Sequence, residues 1–237
     1  MSGVSLREAA YLRGIRVVPD RLPAEASFPS SLPFVPTLDL PFSQAVTFFV
    51  GENGTGKSTL LEAIADLSRL PVAGGGRNEL DGGHAPESLS ALSAMLRPSF
   101  RIRPRDGFFL RAEFHAHFAS LLDSRAGDTS MTGGAYQRYG GRSLHQQSHG
   151  ESFLAVLQNR VERGLFLFDE PEAALSPQRQ LALLALIDQL QATGEAQFII
   201  ATHSPILLTF PEAAIVNFDD SALRPIPLED TAHYRIT

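Results

Sequence analysis

The sequence predicts an α/β fold in which a mostly parallel central sheet is flanked by helices and joined to a small helical lobe. Uninterrupted apolar runs such as Ala45–Val50 and Leu165–Phe168 are typical of strands buried on both faces of a parallel sheet. Segments with apolar residues at helical spacing alternate with these runs, which favours strand–helix–strand units. We expect a single domain over 1–237, with a main lobe at about 1–70 and 160–237 and a helical lobe inserted at about 71–159.

The first third of the chain is predicted to hold two strands and one helix. Residues 11–18 form an opening strand, and a proline-rich stretch follows that cannot be a long helix because each ring blocks helix continuation; we expect loop and edge-strand segments there. The buried strand Ala45–Val50 comes next. Leu60, Leu61 and Ile64 then lie at helical spacing, which predicts a helix over Lys57–Leu70.

The middle of the chain changes composition and is predicted to be irregular. Glycine and serine are frequent from Pro71 to about Pro98 and again over Arg125–Gly141, which indicates loops. The remaining expected elements are a strand that continues as a helix over Phe108–Leu122, a helix over Ser152–Arg163, a strand at Leu165–Phe168, a leucine-rich helix at Pro177–Gln191 and a strand at Gln197–Ala201.

Composition excludes several classes of protein. The formal net charge is −6, which disfavours a generally basic nucleic-acid-binding surface. The chain has no cysteine, which removes disulfides, thiolate zinc sites and cysteine nucleophiles and fits a reducing cytoplasm. No secretory signal is visible, and no apolar run reaches the roughly 20 residues that span a bilayer. We therefore expect a soluble, cytoplasmic protein without direct membrane insertion.

A phosphate-binding loop follows the first buried strand. Gly51-Glu52-Asn53-Gly54-Thr55-Gly56-Lys57-Ser58 matches G-x-x-x-x-G-K-[ST], between a strand and a helix as that motif requires. The glycines let backbone N–H groups surround phosphate oxygens. Lys57 supplies a cation near the β- and γ-phosphates, and Ser58 offers a hydroxyl to Mg²⁺. The predicted ATP-binding residues here are Gly51, Asn53, Gly54, Thr55, Gly56, Lys57, Ser58 and Thr59.

Two acidic residues complete the predicted site. The apolar run Leu165–Phe168 ends in Asp169 and Glu170, and ligands bind at the carboxyl ends of strands in open α/β sheets. Asp169 is predicted to hold Mg²⁺ through water, together with Ser58. Glu170 is predicted to act as the general base on the attacking water.

Taken together, these motifs and three weaker ones resemble the ABC-type ATPases over most of the chain. Gln147–Ser152, which reads QSHGES, looks like a variant of that family's LSGGQ signature, with Ser148 and Gly150 matching its serine and second glycine. Pro171–Ser176 resembles the loop after the catalytic glutamate, where Leu175 and Ser176 would lie near a dimer seam. Ala201–Ser204 resembles the switch strand, whose histidine, here His203, would reach the γ-phosphate.

The resemblance implies an ABC-type head with a P-loop NTPase fold that works as a homodimer. Ser148 and Gly150 of one copy would contact the γ-phosphate held by the other, and hydrolysis would open the dimer. The pattern looks closer to small soluble bacterial ABC ATPases, which are related to chromosome-maintenance and break-repair ATPases, than to a typical transporter subunit. Their long coiled-coil arm is missing, because the insert is too short and glycine-rich to form one.

Two features depart from the family pattern. No glutamine occurs between Gln44 and Gln137, although ABC proteins carry one in a lobe-connecting loop after the first helix. We expect another residue, in Arg101–Gly107, to serve at that joint. The aromatic residue that stacks on adenine is also not evident: Phe28 and Phe34 are candidates, and either can instead pack in the core.

Three functions remain open at this stage. The chain is predicted to be an ATPase switch acting on nucleic acid or on a protein partner; the alternatives are the ATP-binding subunit of an ABC transporter and a dimerising module with little turnover. Alternating arginines on a strand could face nucleic-acid phosphates, although an ordinary solvated strand face explains them as well. The arginines concerned are Arg97, Arg101, Arg103, Arg105 and Arg111.

Overall fold

A computed structural model describes residues 8–72, 74–76, 90–111, 162–231 and 234. These residues form two sheets. One is antiparallel, with three strands in the order β2-β1-β5, and the other has seven strands in the order β10-β9-β3-β8-β7-β6-β4. The strands are β1 Leu12–Val17, β2 Asp39–Pro41, β3 Val46–Val50, β4 Gly75–Gly76, β5 Leu96–Phe100, β6 Gly107–Arg111, β7 Gly164–Asp169, β8 Ala196–Ala201, β9 Ala214–Asn217 and β10 Pro225–Ile226. Among the described residues, the α-helices are α1 Lys57–Leu67 and α2 Pro177–Ala192.

The centre of the seven-stranded sheet is parallel, as predicted. β3, β7 and β8 are buried along their whole length, and parallel pairing joins β9 to β3, β3 to β8, β8 to β7 and β7 to β6. The two outer strands, β4 and β10, pair antiparallel. Because the central strands run in one direction, their carboxyl ends meet at one edge of the sheet.

Each face of this sheet carries its own apolar core. On one face Phe49 and Leu167 pack with Leu60 and Ile64 of α1 and with Ile15 of the antiparallel sheet. On the other face, residues that include Phe166 and Phe198 pack with Leu183 and Ile187 of α2. The strands alternate their side chains between these two cores, which explains why they show continuous apolar runs.

A buried glutamine joins the antiparallel sheet to the central sheet. Gln197, at the start of β8, is fully buried. Its Oε1 accepts a hydrogen bond from the Leu12 N–H at 2.8 Å, and its Nε2 donates one to the Leu12 carbonyl oxygen at 2.9 Å. The side-chain amide of Gln197 thus supplies hydrogen-bond partners to the backbone N–H and carbonyl of Leu12, which would otherwise be buried without partners.

The structure differs from the predicted elements in several places. The first helix ends at Leu67 rather than Leu70, because Ser68 caps it and Arg69 turns to a φ of 60°. Gly75–Gly76, predicted as loop, pairs with Phe108 and Phe109. β9 and β10 were not predicted, although β9 extends the parallel sheet beside β3.

The expected helical insert at 71–159 is only partly described. β4, β5 and β6 fall inside this range and belong to the two sheets. The predicted helix over Ser152–Arg163, the helical part of Phe108–Leu122 and the signature residues Ser148 and Gly150 lie outside the described residues. In the described part of the chain, no helix has the length and apolar character needed to cross a membrane.

Candidate functional site

The loop between β3 and α1 has the backbone of a phosphate cradle. Gly51, Gly54 and Gly56 adopt φ values of 140°, 83° and 99°, which side-chain-bearing residues rarely adopt. At Gly56 space is limiting as well, because a Cβ there would lie 2.8 Å from a ring carbon of Phe34. The N-terminus of α1 begins directly at Lys57 and points its unpaired N–H groups into the loop.

Lys57 lies across the mouth of this loop. Its Nζ donates hydrogen bonds to the carbonyl oxygens of Gly51 at 2.7 Å and Glu52 at 2.8 Å, and the residue is only 4% exposed. Burial lowers the pKa of Lys57, and the nearby carboxylates, Glu170 and Asp219 foremost, act in the opposite direction. The ammonium is thus held in place by backbone carbonyls.

Asp169 and Ser58 are brought together from distant parts of the sequence. The Ser58 hydroxyl donates a hydrogen bond to Asp169 Oδ1 at 3.0 Å. Asp169 ends β7 and is 7% exposed. Burial raises the pKa of this carboxyl, while the Ser58 hydrogen bond and the Arg111 guanidinium oppose that shift. The result is a pair of oxygen donors at the carboxyl edge of the sheet.

Arg111 is a residue of this site that sequence reasoning did not place there. It ends β6 opposite Asp169 in the parallel register. Its Nε lies 3.7 Å from Asp169 Oδ2, and its Nη1 donates a hydrogen bond to Glu62 Oε1 at 2.6 Å. The sequence does contain a signal for this placement, because the apolar run before Arg111 ends in a charged residue, as the run before Asp169 does.

This placement corrects two expectations. The five arginines do not share one strand: Arg97 lies on β5 and Arg111 on β6, and the other three precede β6. The expectation that a residue of Arg101–Gly107 replaces the lobe-connecting glutamine at the site is also wrong. Gly107 pairs with Leu165 at the start of β7, so this segment lies at the far end of the parallel strands from Asp169.

Glu170 and His203 face each other beside Asp169. Glu170 Oε1 lies 3.7 Å from His203 Nε2. The backbone of Glu170 is left-handed, with φ 50° and ψ 54°, and its N–H donates a hydrogen bond to the Ala201 carbonyl oxygen at 2.9 Å. A non-glycine residue in this conformation is uncommon and occurs at functional sites. Its side chain remains 44% exposed, so it faces the solvent-accessible edge.

The loop after Glu170 is fixed to the loop after β8 by polar contacts that the sequence did not reveal. Glu172 Oε1 accepts a hydrogen bond from the His203 N–H at 2.5 Å. Buried Gln180 donates from Nε2 to the Leu175 carbonyl oxygen at 3.1 Å and accepts one from the Ser204 hydroxyl. These contacts hold the segments that carry Glu170 and His203 at a fixed spacing.

Burial separates the remaining candidates for nucleotide contact and excludes one candidate for stacking on adenine. Asn53 is exposed, Thr59 is half-buried in the first turn of α1, and the Thr55 hydroxyl donates to the Glu52 carbonyl oxygen at 2.9 Å. Phe34 is 1% exposed and packs edge-on against Phe218, so it is a core residue. Phe28 is 72% exposed.

The donor set at the site matches the preferences of Mg²⁺. Within the described ranges, no group of three or more His, Cys, Asp or Glu side chains could by itself enclose a metal ion. Mg²⁺ is usually held by one or two protein oxygens, with phosphate oxygens and waters as its other ligands. The adjacent Ser58 hydroxyl and Asp169 carboxylate therefore fit this ion.

A phosphate cradle at the carboxyl edge of a parallel sheet, followed by an aspartate–glutamate pair and a histidine, defines an ABC-type P-loop ATPase. The profile of the family described as "AAA domain, putative AbiEii toxin, Type IV TA system" matches residues 46–116 and 100–209. These matches cover more than half of the chain, and the chain belongs to this family.

Named relatives and solved structures agree with this class. The chain is 30% identical over 168 residues to the thiamine import ATP-binding protein ThiQ of Cereibacter sphaeroides, covering 66% of this chain and 69% of that protein. It is 30% identical over 188 residues to the Fe(3+) ions import ATP-binding protein FbpC 1 of Rhodococcus jostii, covering 73% of this chain but only 52% of that protein. A dimeric structure of a bacterial ABC transporter cassette has the same fold, with a TM-score of 0.50 and 14% identity over 93% of this chain and 99% of that one.

Proposed function

We propose that this ATPase binds Mg²⁺-ATP in the loop Gly51–Ser58 and that ATP joins two copies into a dimer that opens on hydrolysis. The observation that carries the proposal is the contact between Ser58 Oγ and Asp169 Oδ1. It brings the end of the phosphate cradle to the carboxyl end of β7, next to Glu170.

The cradle residues would bind the phosphates before any chemistry occurs. Backbone N–H groups of Gly54 and Gly56 and of the first turn of α1 point at the anion. Lys57 already lies at the mouth of the loop, so its ammonium can exchange carbonyl partners for phosphate oxygens with little movement. Thr59, one residue further along the first turn, would support the α-phosphate side.

Ser58 and Asp169 would hold the metal. Mg²⁺, when bound, neutralises charge that develops on the phosphate oxygens during transfer. Ser58 would contribute its hydroxyl directly, and Asp169 would orient a metal-bound water through its carboxylate. The hydrogen bond between Ser58 and Asp169 holds both oxygens in position before the metal binds, which lowers the entropic cost of forming the site.

Glu170 and His203 would act on the reacting groups. The half-buried side chain of Glu170 lies at the edge of the sheet and would accept the proton of the attacking water. His203, 3.7 Å from it, would donate a hydrogen bond to the γ-phosphate and stabilise the redistributed charge of the transition state. His203→Ala should therefore lower turnover more than ATP affinity, whereas equal losses would indicate that His203 only packs.

The dimer proposal rests on the signature-like segment and on the fold. Ser148 and Gly150 of one copy would contact the γ-phosphate bound to the other, in the manner of an anion at a helix start. A cassette of the same fold forms a dimer, and this supports the arrangement. Ser176, exposed at the start of α2, would lie along the same seam.

A second candidate is the ATP-binding subunit of an importer. Its support is that ThiQ and FbpC 1, both named as import ATP-binding proteins, are each 30% identical to this chain. Against it, the chain has no glutamine between Gln44 and Gln137, where the lobe-connecting glutamine of ABC proteins is expected. Co-purification of a membrane-spanning subunit with the tagged chain would support the importer, and an ATP-dependent dimer that purifies without any membrane-spanning subunit would support the switch.

Light scattering tests the switch. Glu170→Gln keeps the size of the side chain but cannot accept the water's proton, so ATP should accumulate in it. We expect a monomer without nucleotide and a dimer with Mg²⁺-ATP, and a return to monomer with Mg²⁺-ADP. A Glu170→Gln chain that stays monomeric at every ATP concentration would contradict the dimer.

A further inference from the structure

The outer face of the antiparallel sheet carries an ordered grid of small and charged residues. Its inner face packs against the core that includes α1, through Ile15, Leu40 and Leu96. The outward positions of its three strands form two rows in the observed register. One row is Pro41–Gly14–Ser99 and the other is Asp39–Arg16–Arg97.

The row of small residues leaves a hollow on this face. Gly14, in the middle of β1, has no side chain and lies between Pro41 and Ser99. The hollow has a volume of about 460 Å³ and is lined by residues 13–16, 39–41 and 97–99. Glycine inside a strand weakens the sheet and often marks a place where a ligand approaches the backbone closely. Here a Cβ would come within 3.0 Å of the Leu40 carbonyl oxygen, so neighbouring strands also require the glycine.

The charge around the hollow is mainly positive. Arg13, Arg16 and Arg97 line it together with one acidic residue, Asp39, and all four are exposed. Within the part of the chain that the structure describes, none of the three arginines forms an ion pair. This local excess of positive charge contrasts with the net charge of −6 for the whole chain.

Two of these arginines oppose each other directly. Arg16 on β1 and Arg97 on β5 are cross-strand partners, and like charges at such positions destabilise a sheet. Asp39 is the partner of Arg16 on the other side and compensates only one of the two. An anion between Arg16 and Arg97 would relieve the repulsion, because guanidinium groups bind phosphate oxygens through paired N–H donors.

We propose that this hollow binds the phosphate backbone of a nucleic acid. Three guanidinium groups and the Ser99 hydroxyl are the donor types that contact phosphates in protein–nucleic acid complexes. Among the described residues, no aromatic side chain lines the hollow, so this part of the face offers no platform on which bases stack. The face therefore binds backbone without reading sequence, and the acidic remainder of the chain keeps the affinity modest and strongly dependent on salt.

This site goes beyond the proposed ATPase switch and does not depend on it. The grid lies on the side of the antiparallel sheet away from the core that includes α1. Nucleic acid binding without nucleotide therefore tests the grid alone, and ATP hydrolysis without nucleic acid tests the catalytic site alone.

Fluorescence anisotropy with a short labelled DNA duplex, at several salt concentrations and without nucleotide, is the decisive measurement. Arg16→Ala combined with Arg97→Ala should weaken binding at least about tenfold at low salt and reduce the slope of log affinity against log salt by about 2. Arg105→Ala removes one charge outside the grid and should change affinity less than twofold. Asp39→Asn should tighten binding, because it removes the one acidic group of the hollow.

Three outcomes would overturn the proposal. One is no measurable binding of DNA duplex, single-stranded DNA or single-stranded RNA at low salt. Another is equal affinity and equal salt slope in the wild-type chain and in the Arg16→Ala/Arg97→Ala chain. The third is binding of these arginines to phosphatidylserine vesicles but not to nucleic acid.

The unliganded double variant should melt no lower than the wild type, since a repulsive pair is removed, and its ATP hydrolysis should be unchanged.

Discussion

Ser58 Oγ and Asp169 Oδ1 lie 3.0 Å apart although 111 residues separate them in sequence. The contact joins the first turn of α1 to the carboxyl end of β7. A phosphate loop placed elsewhere on the sheet could bind an anion but would have no carboxylate within reach of the metal. The relationship between these two residues is thus what turns a phosphate-binding loop into a candidate hydrolytic site.

Lys57 is the only lysine of the chain, which makes its environment directly measurable. An amine-selective reagent can modify Lys57 and the α-amino group and nothing else. Because burial lowers the pKa of Lys57, its reaction rate should rise with pH through a midpoint below that of an ordinary lysine. ATP should protect Lys57, since phosphates occupy the mouth of the loop, but should leave the α-amino group unprotected. Peptide mass spectrometry reads both sites, and equal rates with and without ATP would argue against phosphate contact by Lys57.

Asp169→Asn should stabilise the nucleotide-free protein at neutral pH while removing metal-dependent hydrolysis. Burial raises the pKa of Asp169 in the folded state, so the native chain binds this proton more tightly than the unfolded chain. The stability from this group is therefore fully present below the ordinary carboxyl pKa and is lost as pH rises through the raised value. The melting temperatures of Asp169→Asn and the wild type should differ most near neutral pH and become equal in acid. Asp220→Asn, at an exposed position, should show no such difference.

Arg111→Ala should tighten the binding of a divalent cation. The guanidinium lies 3.7 Å from Asp169 Oδ2 and repels an ion at that carboxylate. Without it, Mn²⁺ measured by electron paramagnetic resonance in the presence of ADP should bind several-fold more tightly. The nucleotide-free variant should also lose about 1–3 kcal/mol of stability, because Glu62 and Asp169 lose their shared cation. Arg111→Lys keeps the charge and should stay near the wild-type metal affinity; tighter binding in both variants would show that charge is not the cause.

Mixing two inactive variants tests the predicted signature. Ser148→Arg should bind ATP in its own loop but fail to dimerise, because a bulky side chain occupies the place of the partner's phosphate. Lys57→Ala should lose ATP binding by roughly 100-fold. Mixed dimers contain one intact composite site, so partial activity should return. If Ser148 only caps a helix, its loss costs about 1 kcal/mol of stability and mixing restores nothing.

Much of the fold could be predicted because its signals are local. The buried strands β3, β7 and β8 have continuous apolar runs, and α2 was predicted to within a residue of its observed end at Ala192. β9 was missed because Ala214–Asn217 is short, and β10 has only two residues. The antiparallel sheet was only partly expected, since β2 and β5 contain proline, which weakens a strand prediction.

Site residues could be predicted where a single segment of the sequence carries them. They could not be predicted where strand register or tertiary packing brings distant residues together. The loop 51–58 and the Asp169–Glu170 pair each follow from a contiguous motif. Arg111 reaches Asp169 only because β6 and β7 pair in parallel with those residues opposite. Gln180 meets Ser204 through tertiary packing between α2 and the loop after β8, and no local pattern in the sequence predicts that these two residues touch.

Turnover by Glu170→Gln, compared with its ATP affinity, decides whether Glu170 takes the proton of the water that attacks ATP bound in the loop 51–58. Steady-state phosphate release should fall at least about 100-fold, as expected for loss of a general base, while the Kd for ATP stays within about twofold of wild type. Glu229→Gln, at an exposed position far along the chain, controls for the loss of one carboxylate and should keep the wild-type rate. A Glu170→Gln chain that hydrolyses ATP as fast as the wild type would show that Glu170 is not the general base.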